Sequence, residues 1–115
     1  MNHIIELTDN DFEAEVIQAP VPVVVDFYAT WCGPCKALAP LLEQIAAGLT
    51  GRLKFAKANV DEAPELVDCF EITGVPTLLL FRNGEVLDRL VGFPGASQFK
   101  AWMDQAENMV EKSTL

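Results

Sequence analysis

The chain has 115 residues, of which 50% are hydrophobic and 22% charged, a composition typical of one folded domain and unlike that of a disordered segment. Seventeen acidic residues against eight basic ones give a formal net charge of −9, which disfavours binding to the phosphate backbone of nucleic acids. No run approaches the roughly 20 apolar residues of a membrane span, so we expect no membrane partner. No secretory signal is visible, and an odd count of three cysteines fits a reducing compartment, so we expect a cytoplasmic protein.

The first third of the chain predicts a strand, a helix and a buried strand. In residues 8–11 a cap residue is followed three positions later by an acid, which is typical of a helix start. Pro20 and Pro22 end that helix, because proline lacks the backbone donor that a helix interior needs. Residues 23–28 are rich in valine and predict a strand that is buried on both faces.

The middle of the chain predicts a long helix, a second central strand and a short helix. Leucine and isoleucine recur at helical spacing and predict a helix over about 34–49, with Leu38, Leu41, Leu42, Ile45 and Leu49 on one face. Pro40 lies inside this helix, and we expect it to kink the axis. Residues 53–60 predict the strand, and a short helix around Leu66 is expected to stop near Gly74.

The last third predicts a hairpin and a closing helix. Residues 77–81 form an apolar strand, and Asn83-Gly84 is typical of a tight turn into a partly exposed strand over 86–91. After a loop at 92–95, one helical face carries Phe99, Trp102, Met103, Ala106 and Val110. The order β-α-β-α-β-α-β-β-α predicts an α/β domain whose mixed sheet is parallel in its first part and covered by helices on both faces.

Two cysteines fall where the first buried strand gives way to the long helix. Cys32 and Cys35 are three residues apart, which in a helical turn puts their Cα atoms roughly 5 Å apart, within disulfide range. The helix N-terminus favours an anion, so we expect Cys32 to be the nucleophilic thiolate and Cys35 the resolving thiol. Pro34 suits an early helical position, where its missing N–H would be unpaired in any case.

The segment Trp31-Cys32-Gly33-Pro34-Cys35-Lys36 after a valine-rich strand resembles the active site of the thioredoxin family. The resemblance covers roughly residues 3–110 and extends to Asp26, Pro40, Lys57, residues 74–77, Gly84 and Gly92. It implies a single thioredoxin domain over residues 1–115, with a core of about 3–110. The fold it implies is a central mixed five-stranded sheet flanked by four helices.

The resemblance implies a thiol–disulfide oxidoreductase that reduces client proteins through a reversible Cys32–Cys35 disulfide. Gly33 and Pro34 form the reducing type of insert in this family, whereas oxidases and isomerases typically carry a histidine there. It further implies recharging by a thioredoxin reductase, no cofactor, no metal and a monomeric state. The alternatives are a disulfide oxidase or isomerase of the same fold, and a non-catalytic binding subunit.

A structural zinc site is an alternative from another class. A Cys₃His set is present by count, in Cys32, Cys35, Cys69 and His3. The spacing lacks the second paired-ligand motif that such sites usually show. We therefore expect no metal. For Cys69 the sequence favours no function, with oxidative regulation and an intermolecular disulfide as the alternatives.

Asp26 interrupts the apolar strand, an unfavourable position for a carboxylate. From the residues alone, a paired structural aspartate is as good an interpretation as a functional one. The resemblance implies a buried proton acceptor that serves Cys35. We expect desolvation to raise the pKa of Asp26 and Lys57, on the adjacent strand, to lower it.

The family resemblance also implies a client-binding surface around the cysteines. Its expected residues are Trp31, Gly33, Pro34, Gly74, Val75, Pro76, Gly92 and Phe93. A cis Val75-Pro76 bond is implied, which would leave the Val75 backbone free to pair with an extended client segment. Phe93 could instead pack within its own loop. The chain departs from the family at Tyr28, where many members carry a second tryptophan, and at residues 93–95.

Overall fold

A computed structural model describes residues 3–113 and contains five strands and four helices. The elements are β1 (Ile4–Leu7), α1 (Glu13–Ile17), β2 (Val23–Tyr28), α2 (Gly33–Gly48), β3 (Lys54–Asn59), α3 (Pro64–Cys69), β4 (Thr77–Arg82), β5 (Glu85–Val91) and α4 (Ala96–Ser113). This order confirms the prediction. Within residues 3–113, no helix combines the length and the apolar composition that a bilayer crossing requires.

The five strands form one mixed sheet in the order β1-β3-β2-β4-β5. Strand β3 pairs in parallel with both β1 and β2, whereas β4 runs antiparallel to β2 and to β5. At the β4–β5 turn Asn83 and Gly84 have positive φ angles of 51° and 81°, the backbone that the predicted Asn-Gly hairpin requires. The mixed sheet with helices on both faces confirms the predicted fold class.

Side chains of the central strands alternate between two apolar layers. Val24, Leu78 and Leu80 belong to the layer that packs against α2 and α4. Val25 and Phe27 belong to the opposite layer, which contains α1 and α3. Because β2 is paired along both edges and covered on both faces, the chain segment that follows it starts from a fixed point.

The first helix differs from the prediction. The expected capping contacts are present, since the Thr8 N–H donates to Asp11 Oδ1 at 2.7 Å and the Asn10 N–H to Thr8 Oγ1 at 3.3 Å. They close a turn, however, and the helix begins only at Glu13. It is wound wide, with the Gln18 N–H donating to the Glu13 carbonyl oxygen, five residues back, at 3.0 Å.

Helix α3 receives its N-terminal cap from a distant part of the chain. Its own N-cap residue, Ala63, has no side-chain oxygen and makes no capping hydrogen bond. The Asp9 carboxylate accepts instead from the N–H groups of Glu65 at 3.3 Å and Leu66 at 3.1 Å. An anion at this helix end also interacts favourably with the helix dipole. The α1 turn and α3 are therefore joined by polar contacts as well as by apolar packing.

Phe81 should be one of the largest single contributors to stability. It is fully buried, and its ring lies 5.5 Å from that of Phe12 and 5.1 Å from that of Phe70. We expect Phe81→Ala to lower the free energy of unfolding by about 3–5 kcal/mol, because it leaves a cavity among these rings. Urea unfolding of the oxidised protein measures this loss.

The matched control is Val86→Ala, since Val86 is the β5 partner of Phe81 and is 40% exposed. It should cost less than about 1 kcal/mol. Equal losses for the two variants would contradict this description of the core.

Candidate active site

The two cysteines of the motif meet at the start of α2. Cys32 is the N-cap residue, with extended backbone at φ −87° and ψ 115°, and Cys35 lies in the first helical turn. They are joined by a disulfide whose Cα atoms are 5.3 Å apart, close to the distance predicted from their spacing. Both residues are buried and pack with Ala29.

A backbone donor at the helix N-terminus faces the sulfur of Cys32. The Cys35 N–H donates to Cys32 Sγ at 3.1 Å. Pro34 is in the first turn, where its lack of an N–H leaves no hydrogen bond unmade. When the disulfide is reduced, this arrangement favours a negative charge on the Cys32 sulfur over a neutral thiol.

The loop before β4 lies against the disulfide. The Val75–Pro76 peptide bond is cis, which confirms the geometry that the resemblance implied. Cys32 Sγ lies 3.7 Å from the carbonyl oxygen of Val75. Gly92 has a φ of +86° and donates its N–H to the Pro76 carbonyl oxygen at 2.7 Å. The structure thus brings Val75, Pro76 and Gly92 together beside the cysteines.

Trp31 is the most prominent apolar side chain beside the motif, with 68% of its surface exposed. Its indole N–H donates to Asp61 Oδ2 at 2.9 Å, which fixes the ring orientation. A groove of about 520 Å³ runs between Trp31 and the 72–75 segment, which includes Gly74 and Val75. Asp61 was missed by the sequence analysis, although its place just beyond the end of β3 was a signal.

The remaining predicted contact residues differ in their surroundings. Gly33 and Pro34 are exposed at the start of α2. Phe93 is partly buried against the apolar layer, with its ring centroid 6.2 Å from that of Phe99. Phe93 thus packs in the structure as the alternative interpretation held, but against α4 and not within its own loop, and a client contact for it stays a prediction.

Asp26 is a buried carboxyl group in the centre of the sheet. It is 5% exposed, and its Oδ1 atom has no hydrogen-bond partner in the described part of the chain. Desolvation raises the pKa of Asp26 from 3.8 to about 7, while the Lys57 ammonium lowers it and the Glu6 carboxylate raises it. The main cause and the opposing effect of Lys57 agree with the expectation from the sequence.

A cavity of about 280 Å³ links Asp26 with the second cysteine. Asp26, Cys35 and Lys57 all line it, together with Tyr28, Ala29, Thr30, Lys36 and Ala39. A space of this size can hold several water molecules, each of which occupies about 30 Å³ in the liquid. The cavity therefore provides room for a water-mediated path between the carboxyl group and the sulfur.

The residues of the hypothetical zinc site do not assemble. Cys69 is exposed and free, and Cys32 and Cys35 are bonded to each other. His3 Nδ1 lies 2.9 Å from Glu43 Oε1 instead. Between residues 3 and 113, no three histidine, cysteine or acidic side chains form a group that could hold a metal ion.

Comparison with known proteins agrees with this geometry. A family model described as "Thioredoxin" matches residues 3–105. The chain belongs to the thioredoxin family. It is 48% identical over 101 residues to the thioredoxin of Allochromatium vinosum, an alignment that covers 88% of this chain and 94% of that protein. With the thioredoxin of Pseudomonas aeruginosa, identity is 43% over 102 residues, covering 89% and 94% of the two chains.

A further relative has a composite name. The chain is 47% identical over 91 residues to the "Bifunctional thioredoxin reductase/thioredoxin" of Mycobacterium leprae, with 79% of this chain and 20% of that protein covered. The family membership, the relatives and the bonded cysteine pair together identify a thiol–disulfide oxidoreductase of the protein-disulfide reductase type.

The raised pKa of Asp26 predicts how stability changes with pH. Between about pH 4 and pH 7 the unfolded state has lost the Asp26 proton while the folded state keeps it, so stability falls as the pH rises. Asp26→Asn removes this effect. Its stability relative to the parent should rise by about 1.4 kcal/mol per pH unit across that window, by roughly 4 kcal/mol in total, and then level off.

Urea unfolding of the oxidised proteins at pH 4, 5.5, 7 and 8 measures the difference. Asp104→Asn, an exposed position on α4, is the matched control and should show no trend. A constant difference between Asp26→Asn and the parent at all four pH values would contradict the raised pKa.

Proposed function

We propose that this thioredoxin-family protein reduces client disulfides with Cys32 as the attacking thiolate, Cys35 as the resolving thiol and Asp26 as the proton acceptor for Cys35. The observation that carries this assignment is the asymmetry of the pair. Cys32 Sγ accepts the Cys35 N–H at 3.1 Å and lies 3.7 Å from the Val75 backbone, whereas Cys35 lines the cavity that contains Asp26. The two sulfurs are thus suited to different steps.

In the first step the Cys32 thiolate attacks one sulfur of the client disulfide. A bond forms between Cys32 Sγ and that sulfur, and the other client sulfur leaves as a thiolate. The backbone N–H of Cys35 stabilises the attacking anion before the step. The product is a mixed disulfide in which one client residue is bonded to Cys32.

In the second step Cys35 resolves the mixed disulfide. Its thiol transfers a proton to the Asp26 carboxylate, with water in the cavity as the relay, and the resulting thiolate attacks Cys32 Sγ. The Cys32–Cys35 bond forms and the second client thiolate is released. The client gains two electrons and this protein becomes oxidised. Since the pKa of Asp26 is about 7, its carboxyl group can exchange this proton near neutral pH.

Client binding is assigned to the surface around the sulfur of Cys32. A client residue bonded to that sulfur would lie next to the Val75 backbone, which supports pairing of an extended client segment with Val75. The groove between Trp31 and Gly74 offers apolar surface for its side chains. We place Gly33, Pro34 and Gly92 at the border of this surface, and Pro76, whose side chain is buried, next to Val75 within it.

We assign the regeneration of the dithiol to a thioredoxin reductase. The relative from Mycobacterium leprae, whose name combines the two activities, supports this partner. An exposed free cysteine at position 69 is compatible with a reducing compartment, which supports a cytoplasmic location. We further propose that the protein acts as a monomer, a single domain with no bound cofactor.

Replacing the resolving cysteine should trap the first intermediate. In Cys35→Ser the mixed disulfide cannot be resolved, so the reduced variant should form a covalent complex with a disulfide-bonded client such as insulin. Non-reducing gel electrophoresis detects the complex, and dithiothreitol should cleave it by reducing the mixed disulfide. Cys32→Ser is the matched control and should trap at least tenfold less, because the remaining Cys35 sulfur lines the Asp26 cavity and not the surface at the Val75 backbone. Equal trapping by both variants would contradict the assigned roles.

Removal of the Trp31 ring should weaken client binding without changing sulfur chemistry. We expect Trp31→Ala to lower kcat/KM for insulin reduction about tenfold, the effect of losing an exposed aromatic contact. The rate of Cys32 alkylation by iodoacetamide should stay within about twofold of the parent, since the Cys35 N–H that faces the sulfur is unchanged. Val86→Ala, which removes an exposed apolar group elsewhere, should change neither rate. A parallel fall in both rates for Trp31→Ala would argue against a binding role.

A further inference from the structure

Three side chains beside the Asp26 cavity form a connected group. The Tyr28 hydroxyl donates to the Glu6 carboxylate and lies 2.9 Å from both of its oxygens. Lys57 Nζ lies 3.9 Å from Glu6 Oε1 and 5.4 Å from the centroid of the Tyr28 ring. Lys57 therefore has an anion on one side and an aromatic face on the other.

The register of the sheet explains why these groups meet. Lys57 on β3 is the pairing partner of Glu6 on β1 and of Asp26 on β2. Directly paired residues point to the same face of a sheet, so the lysine stands between two carboxyl groups. One of them, Asp26, is buried, whereas Glu6 is exposed and is joined to Tyr28.

The Tyr28 hydroxyl is suited to donate a hydrogen bond to Glu6 over a wide pH range. Burial raises the pKa of its hydroxyl, and the hydrogen bond to Glu6 raises it further. The phenol therefore stays protonated over the range in which thiols react, and it keeps the Glu6 carboxylate in place. Tyr28 also lines the cavity shared by Asp26 and Cys35.

We propose that Glu6 and Tyr28 are positioning residues. Through their contacts with the Lys57 ammonium they set the pH range in which Asp26 exchanges a proton with Cys35. This inference rests on the proton-acceptor role proposed for Asp26. Without Glu6, Lys57 loses its ion pair, and its full charge is left to act on Asp26. With Glu6 in place, part of that charge is offset before it reaches the buried carboxyl group.

Other charged groups also face Asp26 and belong to the same balance. Strand β4 contributes only Leu78 as the neighbour of Asp26 across the sheet. The titratable and charged groups that line the cavities around it are, from α2, Cys35, Lys36 and Glu43, and, from the sheet, Tyr28 and Lys57. Among the charged groups, those that act on Asp26 most strongly are Lys57 and Glu6.

The test is a titration of the Asp26 carboxyl carbon by NMR in the oxidised protein. Glu6→Gln should move the midpoint down by about half a pH unit or more, because the Lys57 charge is no longer offset. Tyr28→Phe should move it down by less, since Glu6 stays but is no longer anchored. Lys57→Met should move it up. Glu85→Gln, at the other edge of the sheet, removes the same one negative charge and should leave the midpoint unchanged.

A double variant separates positioning from a direct charge effect. If Glu6 acts through Lys57, then Glu6→Gln in a Lys57→Met background should shift the midpoint by less than about half as much as in the parent. An equal shift in both backgrounds, or no shift for Glu6→Gln in the parent, would overturn the inference.

The titration is independent of client reduction. It uses the oxidised protein, so a negative result leaves the trapping by Cys35→Ser untouched. If the Asp26 midpoints shift as expected but Cys35→Ser traps no client, the result would instead contradict the proposed function. In the reduced protein, the pH profile of mixed-disulfide resolution should shift in Glu6→Gln in the same direction as the Asp26 midpoint.

Discussion

The complete enclosure of β2 is the constraint on which the site depends. This strand is paired along both edges, and residues Val23–Phe27 are all buried. The end of β2 is therefore fixed in position, and the helix that follows begins at a fixed place relative to the start of β4. As a result, the N-terminus of α2 can hold Cys32 against the Val75 carbonyl while Cys35 lines the cavity that contains Asp26. The two sulfurs therefore have different surroundings, as the roles proposed for them require.

The same enclosure creates the unusual acid of the site. A carboxyl group on a fully covered strand loses most of its hydration, and this loss is the largest cause of the raised pKa of Asp26. Lys57 on the neighbouring strand lowers this pKa, and Glu6 at the sheet edge raises it. A position in the sheet that is unfavourable for stability thus produces a group that can exchange protons near neutral pH.

Much of the fold could be read from local patterns. The valine-rich run predicted β2, the leucine spacing predicted α2, and Asn83-Gly84 predicted the hairpin, since each of these signals depends on near neighbours in the chain. The start of α1 was less accurate, because the Thr8–Asp11 contacts that resemble a helix cap close a separate turn. The cap of α3 by Asp9 spans more than fifty residues and has no local signal at all.

By itself, the sequence determined the order of the elements, the two cysteines at a strand-to-helix junction and the family to which they point. These features follow from spacing and periodicity, which act over a few residues. Only the tertiary structure decided that Asp61 accepts a hydrogen bond from Trp31, that Phe93 packs on Phe99, and that Lys57 contacts both Glu6 and Tyr28. Those contacts depend on strand register and on the way that loops return to the sheet, which are properties of the whole packed chain and not of any one segment.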